Sequence, residues 1–221
     1  MRWRLLCAAL ALTVLSAGVA KAGRSANPGA SGIAAAEEAW QSLFDGKSLG
    51  QWKSTEFGGE GKVSVANGQI NLQAGANLTG ITWSGTALPK TNYEISLEAK
   101  KTDGSDFFCG LTFPVANSFC SLIVGGWGGG IVGLSSIDGH DASENETTQV
   151  MSFPDNRWFK IRVKVTPAKI EAWLDDKKVA DVVTTGHQID IRPEVELSKP
   201  LGIATWMTGA AFRDIKIRRL Q

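Results

Sequence analysis

The sequence predicts an all-β protein built as an antiparallel β-sandwich, and three observations carry that prediction. From Lys62 onward, short runs are broken by Gly, Asn, Asp or Pro about every 8 to 12 residues, the rhythm of a sandwich or barrel. Within the runs apolar and polar residues alternate, as in Phe159, Ile161, Val163 and Val165 against Lys160, Arg162 and Lys164, so each strand has one dry face and one wet face. No helical stretch of convincing length and no internal repeat follows the first forty residues.

The chain opens with Met1-Arg2-Trp3-Arg4, an apolar run from Leu5 to Val19, and Ala20-Lys21-Ala22. That order of basic, apolar and small-x-small segments reads as a signal peptide over residues 1–22, cut after Ala22. The run is too short, and too diluted by Thr13, Ser16 and Gly18, for a membrane span. Export to the periplasm or medium is the expectation. Residues 23–39, rich in Ala, Gly and Ser, read as a flexible tether, and 40–221 as one domain with a proper core. Losing Arg2, Arg4 and Lys21 with the leader turns a formal net charge of +1 into −2, which argues against nucleic acid as a partner.

Individual strands follow from local signals. Val63 to Leu72 forms a hairpin about Asn67-Gly68, suited to a type I′ turn because both central residues need positive φ. A second hairpin runs from Trp158 to Val165, turns at Thr166-Pro167-Ala168 and returns from Lys169 to Leu174, with a further turn at Asp175-Asp176. Tyr93 to Lys101, Lys178 to Thr184, Leu201 to Trp206 and Ala211 to Arg218 complete the set. Asp106 to Phe113 and Ser118 to Val124 are the arms of another hairpin, and alternation puts Cys109 and Cys120 on the same face. Register decides whether they form a disulfide or stay as two small buried hydrophobes.

Chemistry is sparse. No hydrolase nucleophile elbow, zinc signature, phosphate loop or dinucleotide fingerprint occurs, and His140 and His187 are alone in their segments. The glycine cluster from Gly125 to Gly130 reads as a loop that lets a ligand approach the backbone, with Trp127 at its centre as a stacking plane for sugar rings. Trp83 and Trp206 also lie beside Gly- or Ser-rich turns, where binding residues concentrate. Asp138-Gly139-His140-Asp141-Ala142-Ser143-Glu144-Asn145-Glu146 is the one acidic concentration, and three readings compete for it: a solvated loop, a structural calcium site, or acid/base apparatus for a glycan.

Leu43-Phe44-Asp45-Gly46-Lys47-Ser48-Leu49-Gly50-Gln51-Trp52 resembles the N-terminal signature of the 3-keto-disaccharide hydrolase domain family. Further matches follow in order at Tyr93 to Glu98, Asn156 to Ile161, Ile170 to Asp175, Pro200 to Thr205 and Ala211 to Ile217, so the resemblance covers Trp40 to Leu220. It implies a concanavalin A-like lectin/glucanase jelly roll, a carbohydrate partner, and cleavage of 3-keto-glycosides by lyase, hydratase or hydrolase chemistry without a redox cofactor. Many relatives carry a Gly-Tyr-Glu-x-Gln-x-x-Asp strand, whereas the corresponding Phe119 to Gly126 has no acid or amide. Catalysis is therefore expected from Asp138, His140 and Glu144, or from their neighbours Asp141 and Glu146, with Trp83, Trp127 and Trp206 holding the substrate. A non-catalytic sugar-binding module on the same sandwich is the alternative.

Overall fold

The computed structural model describes residues 39–221; the segment read as a signal peptide and nearly all of that read as a tether lie outside the described residues. Fifteen strands are found among them. The first five are β1 (Gln41–Ser42), β2 (Trp52–Ser54), β3 (Val63–Ala66), β4 (Gln69–Leu72) and β5 (Leu78–Trp83). The next five are β6 (Tyr93–Asp103), β7 (Cys109–Val115), β8 (Ser118–Gly125), β9 (Ile131–Ser135) and β10 (Gln149–Val150). The last five are β11 (Phe159–Val165), β12 (Lys169–Leu174), β13 (Lys177–Val183), β14 (Gly202–Trp206) and β15 (Gly209–Arg219). One sheet runs β13-β12-β11-β6-β15-β4-β3, with β1 on β15, and the other runs β10-β9-β8-β7-β14-β5-β2; all named pairings are antiparallel. The expected antiparallel β-sandwich is what the chain forms.

Alternation places the core. Ile95, Leu97, Ile161 and Val163 of the first sheet and Leu111, Phe113, Leu122 and Leu134 of the second are all fully buried in one cluster between the sheets. Their partners in sequence point outward, so the outer face of the second sheet carries Gly80, Ala204, Gly110, Ile123 and Gly133 in one cross-strand row and Thr112, Ser121 and Ser135 in the next. These small residues admit loops onto the sheet. A Cβ on Gly133 would stand 2.9 Å from Thr147 Oγ1, and one on Gly202 2.5 Å from the Ser198 carbonyl oxygen. The chain folds over both edges of this face and leaves an opening between.

Register settles the cysteines. Cys109 pairs with Val124 and Cys120 with Phe113, so the two thiols are offset along the hairpin rather than opposed, and both are free. The disulfide reading is thereby corrected to the hydrophobe reading, and burial pushes both thiols up from their ordinary range, leaving them protonated and inert. The Asn67-Gly68 turn has φ of 55° and 73°, as a type I′ turn requires. No helix among the described residues is long and apolar enough to cross a membrane.

Candidate functional site

The opening on the outer face of the second sheet is a cleft of about 250 Å3. Its floor is Ser121 and Ile123 of β8 and Ser135 of β9, with Leu78 and Trp206 at one end. The floor is nearly neutral: Thr112 and Ser121 share a hydroxyl–hydroxyl hydrogen bond of 2.8 Å. β8 presents Ser121 and Ile123 to the cleft, and no acid.

Charge enters from the walls. Asp106 ends the turn before β7, where Oδ1 accepts the Phe107 N–H at 2.7 Å and Oδ2 accepts the Gly128 N–H at 3.1 Å. Its own N–H donates to Thr208 Oγ1 at 3.0 Å, so the Gly128 and Thr208 segments both hold this residue, the first through its carboxylate and the second through its backbone. Into the same cleft the segment leading to a short 3-10 helix (Pro193–Ser198) brings Arg192, whose Nη2 and Nε donate to Glu194 at 2.8 and 3.3 Å and whose Nη1 donates to Asp141. Asp141 Oδ1 also accepts from Ser135 Oγ at 3.3 Å, tying the cluster to the floor. The Arg192 guanidinium holds the Glu194 carboxyl below its ordinary range, so Glu194 stays ionised and is no proton donor. Among the described residues Asp106 has no ion-pair partner.

Trp127 stands over one wall. The turn Gly126–Gly129 joins β8 to β9, with Trp127 at φ 49° and ψ 58° and Gly128 at φ 84° and ψ 21°, both left-handed. The indole is 44% exposed and lines the cleft. Trp206 lines it too, half-buried. Trp83 does not: it is 6% exposed, packs edge-on against Trp52 inside the sandwich, and donates its Nε1 hydrogen to the Thr86 carbonyl. The turn that follows it is at the surface, but inward alternation on β5 takes the ring to the core.

Asp138, His140 and Glu144 are absent from the cleft lining. Asp138 is a clip: Oδ1 accepts the Gln188 N–H and Oδ2 meets His187 Nδ1, both at 2.7 Å, while His187 Nε2 lies 3.8 Å from Glu146. His140 and Glu144 are exposed on the same loop. Asn145 is its keystone, donating to the carbonyls of Leu134, His140 and Asp141 and accepting from Thr147, so its amide is committed to the loop rather than to a glycan. Of the loop carboxylates, Asp138 and Glu146 face His187 and Asp141 faces Arg192, and among the described residues no group of three acids, histidines or cysteines gathers as a metal site would require.

This clip should make the loop sensitive to pH. Hydrogen bonding to Asp138 raises His187 above 6.5, and the Gln188 N–H followed by His187 lowers Asp138 below 3.8. A raised histidine stabilises below its unfolded value and loses that as pH climbs through its folded one; a lowered carboxyl stabilises above its unfolded value and loses that as pH falls. The clip is therefore firmest between about pH 4 and 6.5. Amide exchange of residues 138–146, corrected for intrinsic rate, is expected to speed up above that window in the wild type and to show no such step in His187→Gln; identical profiles would refute the clip.

With the site defined, its relatives can be compared. A family model described as the 3-keto-alpha-glucoside-1,2-lyase-like domain matches residues 39–218. The chain belongs to this family. No curated relative matches its sequence. Among solved structures, a Bacillus subtilis protein of galectin-like fold aligns with a TM-score of 0.57 at 9% identity, covering 83% of this chain and 96% of its own. The carbohydrate-binding module CBM66 from Bacillus subtilis aligns at 0.52 and 12% identity, over 76% of this chain and 95% of its own. The Crh5 transglycosylase aligns at 0.53 and 10%, over 84% and 85%. At such identities the likeness is one of fold. The chain is thus a member of a carbohydrate-active family, on a sandwich whose fold is galectin-like.

Asp106, Arg192 and Glu194 were not legible as site residues. Asp106 reads as the first residue of a strand, and its only local signal is the Gly104-Ser105 turn before it. Arg192 and Asp141 lie 51 positions apart.

Proposed function

We propose that this cleft eliminates the anomeric substituent of 3-keto-glycosides, with Asp106 as the base and Arg192 as the group that meets the enolate oxygen. The observation behind this reading is that Asp106 stands outside the Arg192–Glu194–Asp141 ion-pair cluster, so one carboxylate with spare lone pairs lines the same cleft as one guanidinium with spare N–H groups. Two-carboxylate glycoside hydrolysis needs a protonated acid as well as a base or nucleophile, and Glu194, held ionised by Arg192, does not supply one. Elimination needs a single base. The 3-keto group acidifies the C2 proton; Asp106 removes it, the electron pair moves into an enolate whose oxygen Arg192 stabilises, and re-forming the ketone expels the C1 oxygen, which takes a proton from water. Water adding across the C1–C2 double bond returns the free keto-sugar. The stacking planes of Trp127 and Trp206 and the hydroxyls of Ser121 and Ser135 hold the ring.

A sugar-binding module is the second reading, favoured because both Asp106 oxygens already accept backbone N–H groups and the floor strand has no acid. The two are separated by incubating the full-length protein in D2O with a 3-keto-α-glucoside and with its unoxidised parent. The lyase reading expects sugar release and deuterium at C2 from the keto form alone. Saturable binding with neither release nor exchange would establish the binding module instead.

A further inference from the structure

The cleft has two chemically different ends. The strands beneath it run β9-β8-β7-β14-β5, so Ser135 on β9 and Leu78 on β5 stand on strands four spacings apart, about 19 Å. The β9 end is polar: Ser135 donates to Asp141, and Arg192 donates to both Asp141 and Glu194. At the other end Leu78, Phe107, Val195 and Trp206 line the cleft.

That apolar end is built into the fold. Leu78, Val195 and Ala204 are buried in a small cluster apart from the main core, and Phe57, Phe107 and Trp206 pack on it. Two of the rings lie directly on backbone: a Cβ on Gly80 of β5 would stand 3.0 Å from the Phe57 ring, and one on Gly110 of β7 3.0 Å from the Phe107 ring. Phe107 follows Asp106 in the chain, so the carboxylate and the apolar wall share one turn, and the Trp206 backbone N–H donates to the Phe107 carbonyl at 3.0 Å. Leu78, Phe107 and Val195 carry no polar side-chain atom, and Trp206 carries a single indole N–H.

We propose that this end is the leaving-group subsite and that it takes an apolar aglycone, which makes 3-keto-glycosides of hydrophobic alcohols better substrates than 3-keto-disaccharides. This rests on the reading that a 3-keto-glycoside is eliminated in the cleft at Asp106. With the sugar held at Asp106 and Arg192, beside the hydroxyls of Ser121 and Ser135, the C1 substituent is left the end lined by Leu78, Phe107 and Val195. A second sugar there would give up water from its hydroxyls and find one side-chain donor and no side-chain acceptor, so its desolvation goes unmatched. A hydrocarbon group loses no hydrogen bond and gains burial.

The 3-keto derivatives of methyl α-glucoside, hexyl α-glucoside and maltose test this on the full-length protein. Methanol and hexanol are equally good leaving groups, so a difference between the alkyl substrates reads contact with the chain. The hexyl compound is expected to have a kcat/KM at least about ten-fold above the methyl compound, because its further methylenes meet apolar surface. The maltose derivative is expected to have a KM no lower than the methyl compound. In Val195→Thr, which keeps the branched shape and adds a hydroxyl, the hexyl preference should shrink at least about three-fold while kcat/KM for the methyl compound stays within about two-fold. Equal kcat/KM for hexyl and methyl, or the lowest KM for the maltose derivative, would overturn the subsite and leave the elimination reading standing. A hexyl preference unchanged in folded Val195→Thr would overturn the placing of the aglycone at this end. Release from none of the three would overturn the elimination reading, and the subsite with it.

Discussion

Asp106→Asn is expected to lower kcat for 3-keto-glycoside elimination by about 10³-fold while KM stays within a few-fold, the signature of losing a base that acts only in the transition state. Asn matches Asp in size and still accepts one of the two backbone hydrogen bonds, from Phe107 or from Gly128, but its amide nitrogen then faces the other N–H. The lost bond should cost about 1 kcal/mol, so the fold survives and the kinetic loss cannot be assigned to unfolding. C2 deuterium exchange should fall with kcat, because both need the same proton abstraction. A variant that keeps more than about a tenth of wild-type exchange would remove Asp106 from the role of base. If exchange persists while release stops, the residue instead assists departure of the C1 oxygen.

The fold was legible because strand signals are local. Alternation in Phe159–Val165, the Asn67-Gly68 turn and the spacing of breakers each act over a few residues, and the structure realises them at β11 and at the β3–β4 hairpin. Trp127 was legible for a related reason: a bulky residue inside a glycine run has few places to go but outward. The site failed to read where it depends on pairing between distant segments. Asp138 and His140 looked catalytic because acids and a histidine lie together in sequence, yet Asp138 faces His187, 49 positions away, and serves to fasten two loops. Trp83 looked like a platform from its neighbours, although the parity of β5 sends it inward against Trp52. Cys109 and Cys120 share a face, as alternation required, but alternation says nothing of register, and register separates them.

Trp173 and Trp40 stack on arginines of the first sheet, and that arrangement leads to the largest stability effect expected here. Glu94, on the outer face of the first sheet, has a side chain only 3% exposed and accepts from Arg162 Nη1 at 3.0 Å and Arg218 Nε at 2.7 Å. The Arg162 guanidinium lies 3.7 Å from the Trp173 ring centroid and that of Arg218 4.8 Å from Trp40. A row Trp173–Arg162–Glu94–Arg218–Trp40 thus crosses the sheet, with the indoles shielding the cations whose counter-charge is Glu94. Glu94→Gln leaves two partly buried guanidinium groups facing a neutral amide. Removing one partner of a buried ion pair costs 3–5 kcal/mol, and the partial exposure of Arg162 pulls this toward the lower end, about 3 kcal/mol. For a domain of this size that is a fall in Tm of roughly 6 to 12 °C. Glu98→Gln is the matched control, since Glu98 and Arg213 are 30% and 45% exposed and their pairing should contribute less than about 1 kcal/mol. Urea unfolding of the two variants decides the matter: equal losses would mean that burial of the row adds nothing. Because Glu94 lies on the sheet opposite the cleft, Glu94→Gln protein that remains folded should retain wild-type elimination rates, which separates this row from the site.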